Sequence, residues 1–167
     1  VIPMWVADMD FASPDFVRQA ITERAAHPIY GYTIMPDGLF LSIINWMKRK
    51  HGWNIQKEWI SITPGIVPAL NMAIMAFTRP GDKVIVQPPV YFPFFSSVIN
   101  NDRALVYNQL EEKNGTYQMD FKDLEQKCDE KTKLLLLCHP QNPTGVVWKK
   151  DVRENLVIIC AKNNITI

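Results

Sequence analysis

The sequence predicts an α/β domain with a mainly parallel sheet and helices on both faces. Short apolar runs of four or five residues alternate with segments in which apolar residues recur every three or four positions. The clearest run, residues 134–138, is typical of a buried strand. Repeated alternation of strands with helices favours parallel strands joined by crossover helices.

Turn and capping signals predict the first two helices. Ser13 and Pro14 suit the start of a helix that extends toward Ala26. Asp37 is expected to cap a second helix, and Gly52 is expected to end it.

The later helices follow from periodicity. Residues 66–77 are apolar on almost every side, which predicts a buried helix. Further helices are expected at residues 91–100, 121–128 with Asp120 as the cap, and 152–162.

The strands are predicted at residues 60–62, 83–86, 104–107, 134–138 and 165–167, with a tight turn at 114–115. A buried parallel strand needs neighbours and helices on both faces. Because the last strand coincides with the end of the chain, we expect the sequence to be part of a longer domain whose reading frame continues.

Composition excludes several classes of protein. Hydrophobic residues make up 47% of the chain and charged residues 21%, as in ordinary globular domains. The net charge of +1 gives no electrostatic case for nucleic acid or an anionic membrane. No apolar run approaches the length of a membrane span. Cys128, Cys138 and Cys160 suggest neither a disulfide framework nor a metal site, so a cytoplasmic location is expected.

Residues 138–145 read Cys-His-Pro-Gln-Asn-Pro-Thr-Gly and follow a predicted strand directly. Ligands of open α/β sheets bind at the carboxyl ends of strands. Asn142 lies beside a proline in a rigid turn, and its neutral amide can donate to a phenolate-like oxygen. The alternative for Asn-Pro-Thr-Gly alone is a simple turn.

Two other predicted strand ends carry candidate ligand-binding residues. The turn at residues 63–67 precedes a helix, whose amino end offers N–H groups and a favourable dipole to a phosphate. Gly65 there allows close backbone approach, although a helix start without a ligand is the alternative. Tyr91 follows a strand and two prolines, where its ring could stack on a flat ligand or join an aromatic core.

These segments resemble a known family. Residues 140–145 are similar to the signature of pyridoxal-phosphate enzymes of the aspartate aminotransferase fold type. Residues 3–11, 30–32, 63–67 and 88–91 resemble the cystathionine β-lyase-like (C–S lyase) subgroup. The resemblance covers essentially the whole chain, and the Asp-Met-Asp-Phe segment favours C–S lyases over ordinary aminotransferases.

The resemblance implies pyridoxal 5'-phosphate as the cofactor and assigns roles to the candidate residues. The backbone at Gly65, Ile66 and Val67 would hold the cofactor phosphate. Tyr91 would lie on the ring, and Asn142 would donate to the ring's phenolic oxygen.

The resemblance also assigns roles near the start of the chain. Tyr32 would reach across a homodimer interface to the neighbour's cofactor phosphate, with ordinary packing as the competing explanation. Ala7 and Asp8 would border the substrate, a small amino acid. Residues 1–36 would form an N-terminal segment and first helix bordering the active site, and residues 37–167 would be the N-terminal part of the cofactor-binding large domain.

The parts that the resemblance leaves unmatched are the Schiff-base lysine, the aspartate against the ring nitrogen and an arginine for the substrate carboxylate. No catalytic residue and no metal ligand is therefore assigned, and the chain alone is expected to be inactive. The implied parent enzyme is a C–S β-lyase that converts cystathionine or cysteine-like amino acids to a thiol, pyruvate and ammonia. The alternatives are an aminotransferase and a non-catalytic binding or regulatory module.

Overall fold

The computed structural model of the chain describes residues 9–167. Ala7 and Asp8, predicted to border the substrate, lie outside the described residues. The chain divides into two compact units, Val1–Ser61 and Ile62–Ile167. This boundary differs from the functional division expected after residue 36, which remains a separate prediction.

The first unit contains two helices, α1 (Asp15–Ala26) and α2 (Asp37–His51), and a short 3-10 turn at Lys57–Trp59. Gly52 ends α2 as predicted, in the left-handed conformation with φ 63°. Asp37 is the first residue of α2 and does not cap it. Its carboxylate instead lies 2.5 Å from the ammonium of Lys57.

The predicted strand at residues 60–62 is wrong, since that segment has no strand partner among the described residues. Three residues with no neighbouring strand cannot form a ladder of hydrogen bonds.

The second unit carries the sheet and confirms the predicted α/β class. Its elements are α3 (Ile66–Phe77), β1 (Lys83–Val86), α4 (Pro93–Ile99), β2 (Ala104–Tyr107), β3 (Glu111–Lys113), β4 (Thr116–Gln118), α5 (Phe121–Lys127), β5 (Thr132–Leu136) and α6 (Lys150–Lys162). The strand order is β2-β1-β5, with β1 parallel to both neighbours. Thr166 continues the sheet through a parallel bridge to Leu134, where a last strand was expected.

The core lies on both faces of this sheet because strand side chains alternate. Val84 and Val86 pack with Ile74 of α3 and Phe94 of α4 on one face. On the other face Ile85 and Leu135 pack with residues of α5 and α6, namely Leu124, Leu156, Ile159 and Cys160. The expectation of helices on both faces is therefore confirmed.

Helix α3 is much less buried than its apolar sequence predicts. Ile74 is its one buried residue, while Ile66, Met75 and Phe77 are 72%, 55% and 58% exposed. One side of α3 packs on the sheet, and its remaining apolar side chains are not covered by residues 9–167. The prediction of a buried helix is wrong for this chain.

Strands β3 and β4 form an antiparallel hairpin that the sequence indicated only through its turn. Asn114 and Gly115 both have positive φ, 54° and 75°, as a tight hairpin turn requires. Asp120 caps α5 as predicted, since its side chain accepts from the N–H of Asp123 at 2.9 Å.

The order of the strands determines where a ligand can enter. From β1 the chain passes through α4 to β2 on one side, and later returns through α5 to β5 on the opposite side of β1. The direction of winding therefore reverses between β1 and β5. In doubly wound sheets this reversal opens a crevice at the carboxyl ends of the two strands.

Candidate functional site

The segments that follow β1 and β5 carry two of the predicted site residues. Tyr91 comes five residues after β1 ends, and Asn142 comes six residues after β5 ends. Because β1 and β5 are adjacent and parallel, both segments leave the sheet at its carboxyl edge. Only five residues connect the carboxyl end of α3 to the amino end of β1. The amino end of α3 therefore lies toward the carboxyl edge of the sheet.

The amino end of α3 presents unpaired backbone donors. Gly65 precedes the helix with φ 113° and ψ 167°, a conformation that is essentially restricted to glycine. The hydroxyl of Thr63 donates to the Gly65 carbonyl at 3.1 Å and fixes this turn. Within the described part of the chain, the N–H groups of Ile66 and Val67 have no acceptor. Such donors at a helix start suit an anion.

Tyr91 lies outside the aromatic core. Its side chain is 39% exposed, whereas Phe94 is 7% exposed and belongs to the core between α3, α4 and the sheet. The ring of Tyr91 contacts Phe92 edge-on, with a centroid separation of 5.2 Å and an interplanar angle of 60°. Tyr91 is therefore accessible from outside the core.

The loop that carries Asn142 is held by its own backbone. Gln141 donates its N–H to the Val146 carbonyl at 2.8 Å, and its carbonyl accepts from the N–H of Gly145 at 2.7 Å. The N–H of Asn142 contacts the Cys138 sulfur at 3.3 Å. The Asn142 side-chain amide is exposed and has no partner in the region from residue 9 to the end. It is a free donor on a rigid turn.

Sequence reasoning missed Gln87 and Gln141, both of which are almost fully buried at this edge. The side-chain N–H groups of Gln141 donate to the carbonyls of Gln87 at 3.2 Å and Pro89 at 2.8 Å. For Gln87, a long polar side chain directly after an apolar strand was the available signal.

Tyr32, in the first unit, is fully exposed. The neighbouring Tyr30 instead donates its hydroxyl to the Ala25 carbonyl at 2.8 Å. Tyr32 is thus not covered by the described residues of its unit, and its role toward a second copy remains a prediction.

Strongly shifted pKa values occur away from these loops. The hydrogen bond from Lys83 lowers the pKa of Asp129 to about 2, at the amino edge of the sheet. Burial raises the pKa of the Cys160 thiol to about 11. All three cysteines are free. Among residues 9–167, no group of histidine, cysteine and acidic side chains is arranged to hold a metal ion.

The carboxyl edge thus combines three kinds of contact: helix N–H donors for an anion, an aromatic ring for a flat ligand, and an amide donor for an oxygen.

The described helices include none that is long and apolar enough to cross a membrane.

The family model described as aminotransferase class I and II matches residues 1–167. The chain is 44% identical over 167 residues to cystathionine beta-lyase PatB of Bacillus subtilis (strain 168), covering 99% of this chain and 43% of PatB. It is 30% identical to an aspartate aminotransferase of Sulfolobus acidocaldarius, covering 97% of this chain and 42% of that enzyme.

Among solved structures, cystalysin from Treponema denticola, which contains pyridoxal 5'-phosphate, matches with a TM-score of 0.94 and 40% identity. The match covers 99% of this chain and 42% of cystalysin. The chain therefore spans somewhat over two fifths of the length of the proteins that it resembles.

Proposed function

The chain belongs to the aminotransferase class I and II family, and on that premise we propose that the protein carrying it is a pyridoxal-phosphate-dependent C–S β-lyase. Its substrates would be cystathionine or cysteine-like amino acids, and its products a thiol, pyruvate and ammonia. The observation that carries this proposal is the greater similarity to PatB than to the aspartate aminotransferase.

The residues at the carboxyl edge fit this cofactor. The unpaired N–H groups of Ile66 and Val67, beside the glycine-only conformation of Gly65, would hold the phosphate. The partly exposed ring of Tyr91 would lie against the pyridine ring. The free amide of Asn142 would donate to the phenolic oxygen without adding a charge.

Bound pyridoxal phosphate withdraws electrons from the α-carbon of an amino acid, which eases loss of the α-proton and departure of a β-thiolate. The residues of this chain contribute binding and orientation. Asn142 and Tyr91 would fix the ring plane, and the start of α3 would anchor the phosphate away from the reacting carbon. Correct orientation matters because a displacement of about 1 Å can cost roughly a hundredfold in rate.

The remaining assignments extend the same proposal. Tyr32 is fully exposed, which supports a role toward the cofactor phosphate of a second copy in a homodimer. Ala7 and Asp8 would border the amino-acid substrate. The three free cysteines suit a reducing compartment, which supports a cytoplasmic location. Residues 1–36 would border the active site, and residues 37–167 would contribute to the cofactor-binding domain.

An aminotransferase is the second candidate, favoured by the description of the matching family and by the aspartate aminotransferase relative. The reaction product separates the two. We expect the full-length protein, supplied with pyridoxal phosphate and cystathionine, to release free thiol and pyruvate in equal amounts. A reaction without cofactor is the control. Formation of an oxo-acid only when an amino acceptor is present, without thiol release, would identify an aminotransferase instead.

A further inference from the structure

Three buried amide side chains follow the three strands at the carboxyl edge of the sheet. Asn108 follows β2, Gln87 follows β1 and Gln141 lies beyond β5, with exposed fractions of 0%, 2% and 1%. Gln87 donates its side-chain N–H to the Asn108 side-chain oxygen at 2.8 Å, and Gln141 donates to the Gln87 carbonyl at 3.2 Å. We call these three residues the amide belt. Its order is the strand order of the sheet.

One end of the amide belt is fixed to helix α5. The side-chain N–H groups of Asn108 donate to the Asp120 carbonyl at 2.9 Å and to the Asp123 carboxylate at 2.8 Å. The amide belt therefore begins at the capped amino end of α5, where two hydrogen bonds hold the Asn108 side chain. Its other end is Gln141, next to Asn142.

Gln141 connects the two loops that carry the proposed ring-binding residues. Its side chain donates to the Gln87 carbonyl and, at 2.8 Å, to the Pro89 carbonyl, two residues before Tyr91. Over residues 9–167, no other side-chain hydrogen bond joins residues 87–92 to residues 138–146. A single amide thus supplies the side-chain hydrogen bonds between these loops, in addition to the apolar cluster that Val90 and Cys138 share.

The acceptor sides of the two glutamines are unpaired. Within the described chain, the side-chain oxygens of Gln87 and Gln141 are buried and have no hydrogen-bond partner. A buried unpaired acceptor subtracts from stability. Stability alone therefore does not explain why both positions are glutamine. The hydrogen bonds that their side-chain N–H groups donate do explain it.

We propose that Gln141 is a positioning residue that fixes the separation of Tyr91 and Asn142 and thereby orients the ring bound between them. The proposal rests on the proposed function for the identity of that ring. The connection of the two loops is independent of any ligand.

The first test uses the full-length protein without cofactor. In Gln141→Met, which keeps the length of the side chain and removes its donor, amide hydrogen exchange at Gly145, whose N–H donates to the Gln141 carbonyl at 2.7 Å, should become about tenfold faster. Gln109→Met, at an exposed position, is the matched control and should leave exchange there unchanged. Equal exchange in Gln141→Met and wild type would overturn the proposal.

The second test follows the circular dichroism band of pyridoxal phosphate bound to the full-length protein, since this band reports the orientation of the ring. Gln141→Met should change its sign or intensity, and Gln109→Met should not. A purely structural role would lower the melting temperature and leave the band of the folded molecules unchanged. That result would overturn the proposal.

Gln141→Glu provides a variant whose donor can be switched by pH, should the methionine variant fail to fold. Burial raises the pKa of a carboxyl group. The neutral form at low pH can donate to the Pro89 carbonyl, whereas the carboxylate at high pH cannot. The wild-type band should therefore return as the pH falls. A band identical to that of the wild type at every pH would contradict the proposal.

Failure of the two proposals can be told apart. If the wild type binds no pyridoxal phosphate, the proposed function fails, and hydrogen exchange in the cofactor-free protein still decides the role of Gln141. If the wild type binds the cofactor and Gln141→Met leaves exchange and the band unchanged, only the positioning role fails.

Discussion

The two edges of the parallel sheet differ in how completely their hydrogen bonds are formed. At the amino edge, the Asp129 carboxylate accepts from the side chain of Lys83, from the N–H groups of Lys131 and Thr132 at 2.9 and 3.1 Å, and from the Thr132 hydroxyl. Arg103 donates to the carbonyl and hydroxyl oxygens of Thr78 at 2.7 and 2.8 Å. These turns are closed by the chain itself.

The carboxyl edge keeps unused hydrogen-bonding capacity. The N–H groups of Ile66 and Val67 and the amide of Asn142 have no partners within the described residues, and two glutamine oxygens are buried without donors. The same strands thus end in a self-sufficient network on one side and in unpaired groups on the other. This difference supports the proposal that the carboxyl edge binds the ligand, whereas the bonds at the amino edge stabilise the fold.

The largest expected effect on stability comes from a substitution in the hydrophobic core beneath both edges of the sheet. Leu135 is fully buried in the central region between β5 and helices α5 and α6. Leu135→Ala should lower the free energy of unfolding by about 2–5 kcal/mol. Chemical denaturation measures this change. Val157→Ala, on the exposed side of α6, should stay within about 0.5 kcal/mol. Equal losses in both variants would show that the sheet does not form the core described.

Gly65→Ala should have the next largest effect and act at the carboxyl edge. An added Cβ would meet only the Pro68 Cδ at 3.8 Å, so the cost is backbone strain at φ 113°. We expect a loss of about 1–3 kcal/mol in unfolding free energy, together with weaker binding of inorganic phosphate or pyridoxal phosphate. Gly38→Ala, in helix α2 with open space around it, should be neutral or slightly stabilising. A neutral Gly65→Ala would contradict the strained turn.

The smallest effect is expected at the amino edge and depends on pH. The hydrogen bond from Lys83 lowers the pKa of Asp129 from 3.8 to about 2. The resulting stabilisation is fully present above about pH 4 and is lost as the pH falls through about 2. The melting temperature of Asp129→Asn should therefore fall less than that of the wild type as the pH is lowered. Glu130→Gln is the neighbouring control. An unchanged acid profile in Asp129→Asn would contradict this assignment.

Much of the fold could be predicted from local patterns. Strands β1 and β2 have the predicted bounds because short apolar runs between turn residues are specific. The same reasoning was wrong for α3, since an all-apolar helix does not say which of its sides the chain covers. The strand expected at residues 60–62 was wrong because an apolar triplet does not reveal whether a neighbouring strand exists.

The candidate site could be predicted in part. Asn142 and Gly65 stand in turns with distinctive proline and glycine spacing. Gln87 and Gln141 were missed because their importance lies in a contact between residues 54 positions apart, which no local pattern encodes. The unpaired hydrogen-bonding groups at the carboxyl edge likewise cannot be recognised until the partner of every backbone group is known.

The most direct test of the difference between the edges is a titration of full-length protein with pyridoxal phosphate, comparing wild type, Asn142→Ala and Asp129→Asn. Loss of a hydrogen bond to a charged group costs about 1.5–3 kcal/mol, so Asn142→Ala should weaken binding by about 10- to 150-fold and shift the cofactor absorbance. Asp129→Asn should leave the dissociation constant within about twofold of the wild type, because Asp129 lies at the amino edge, away from the proposed site, and an exposed ion pair contributes little to stability. Wild-type affinity and absorbance in Asn142→Ala, or an equal loss of affinity in both variants, would contradict the assignment of the carboxyl edge as the binding edge.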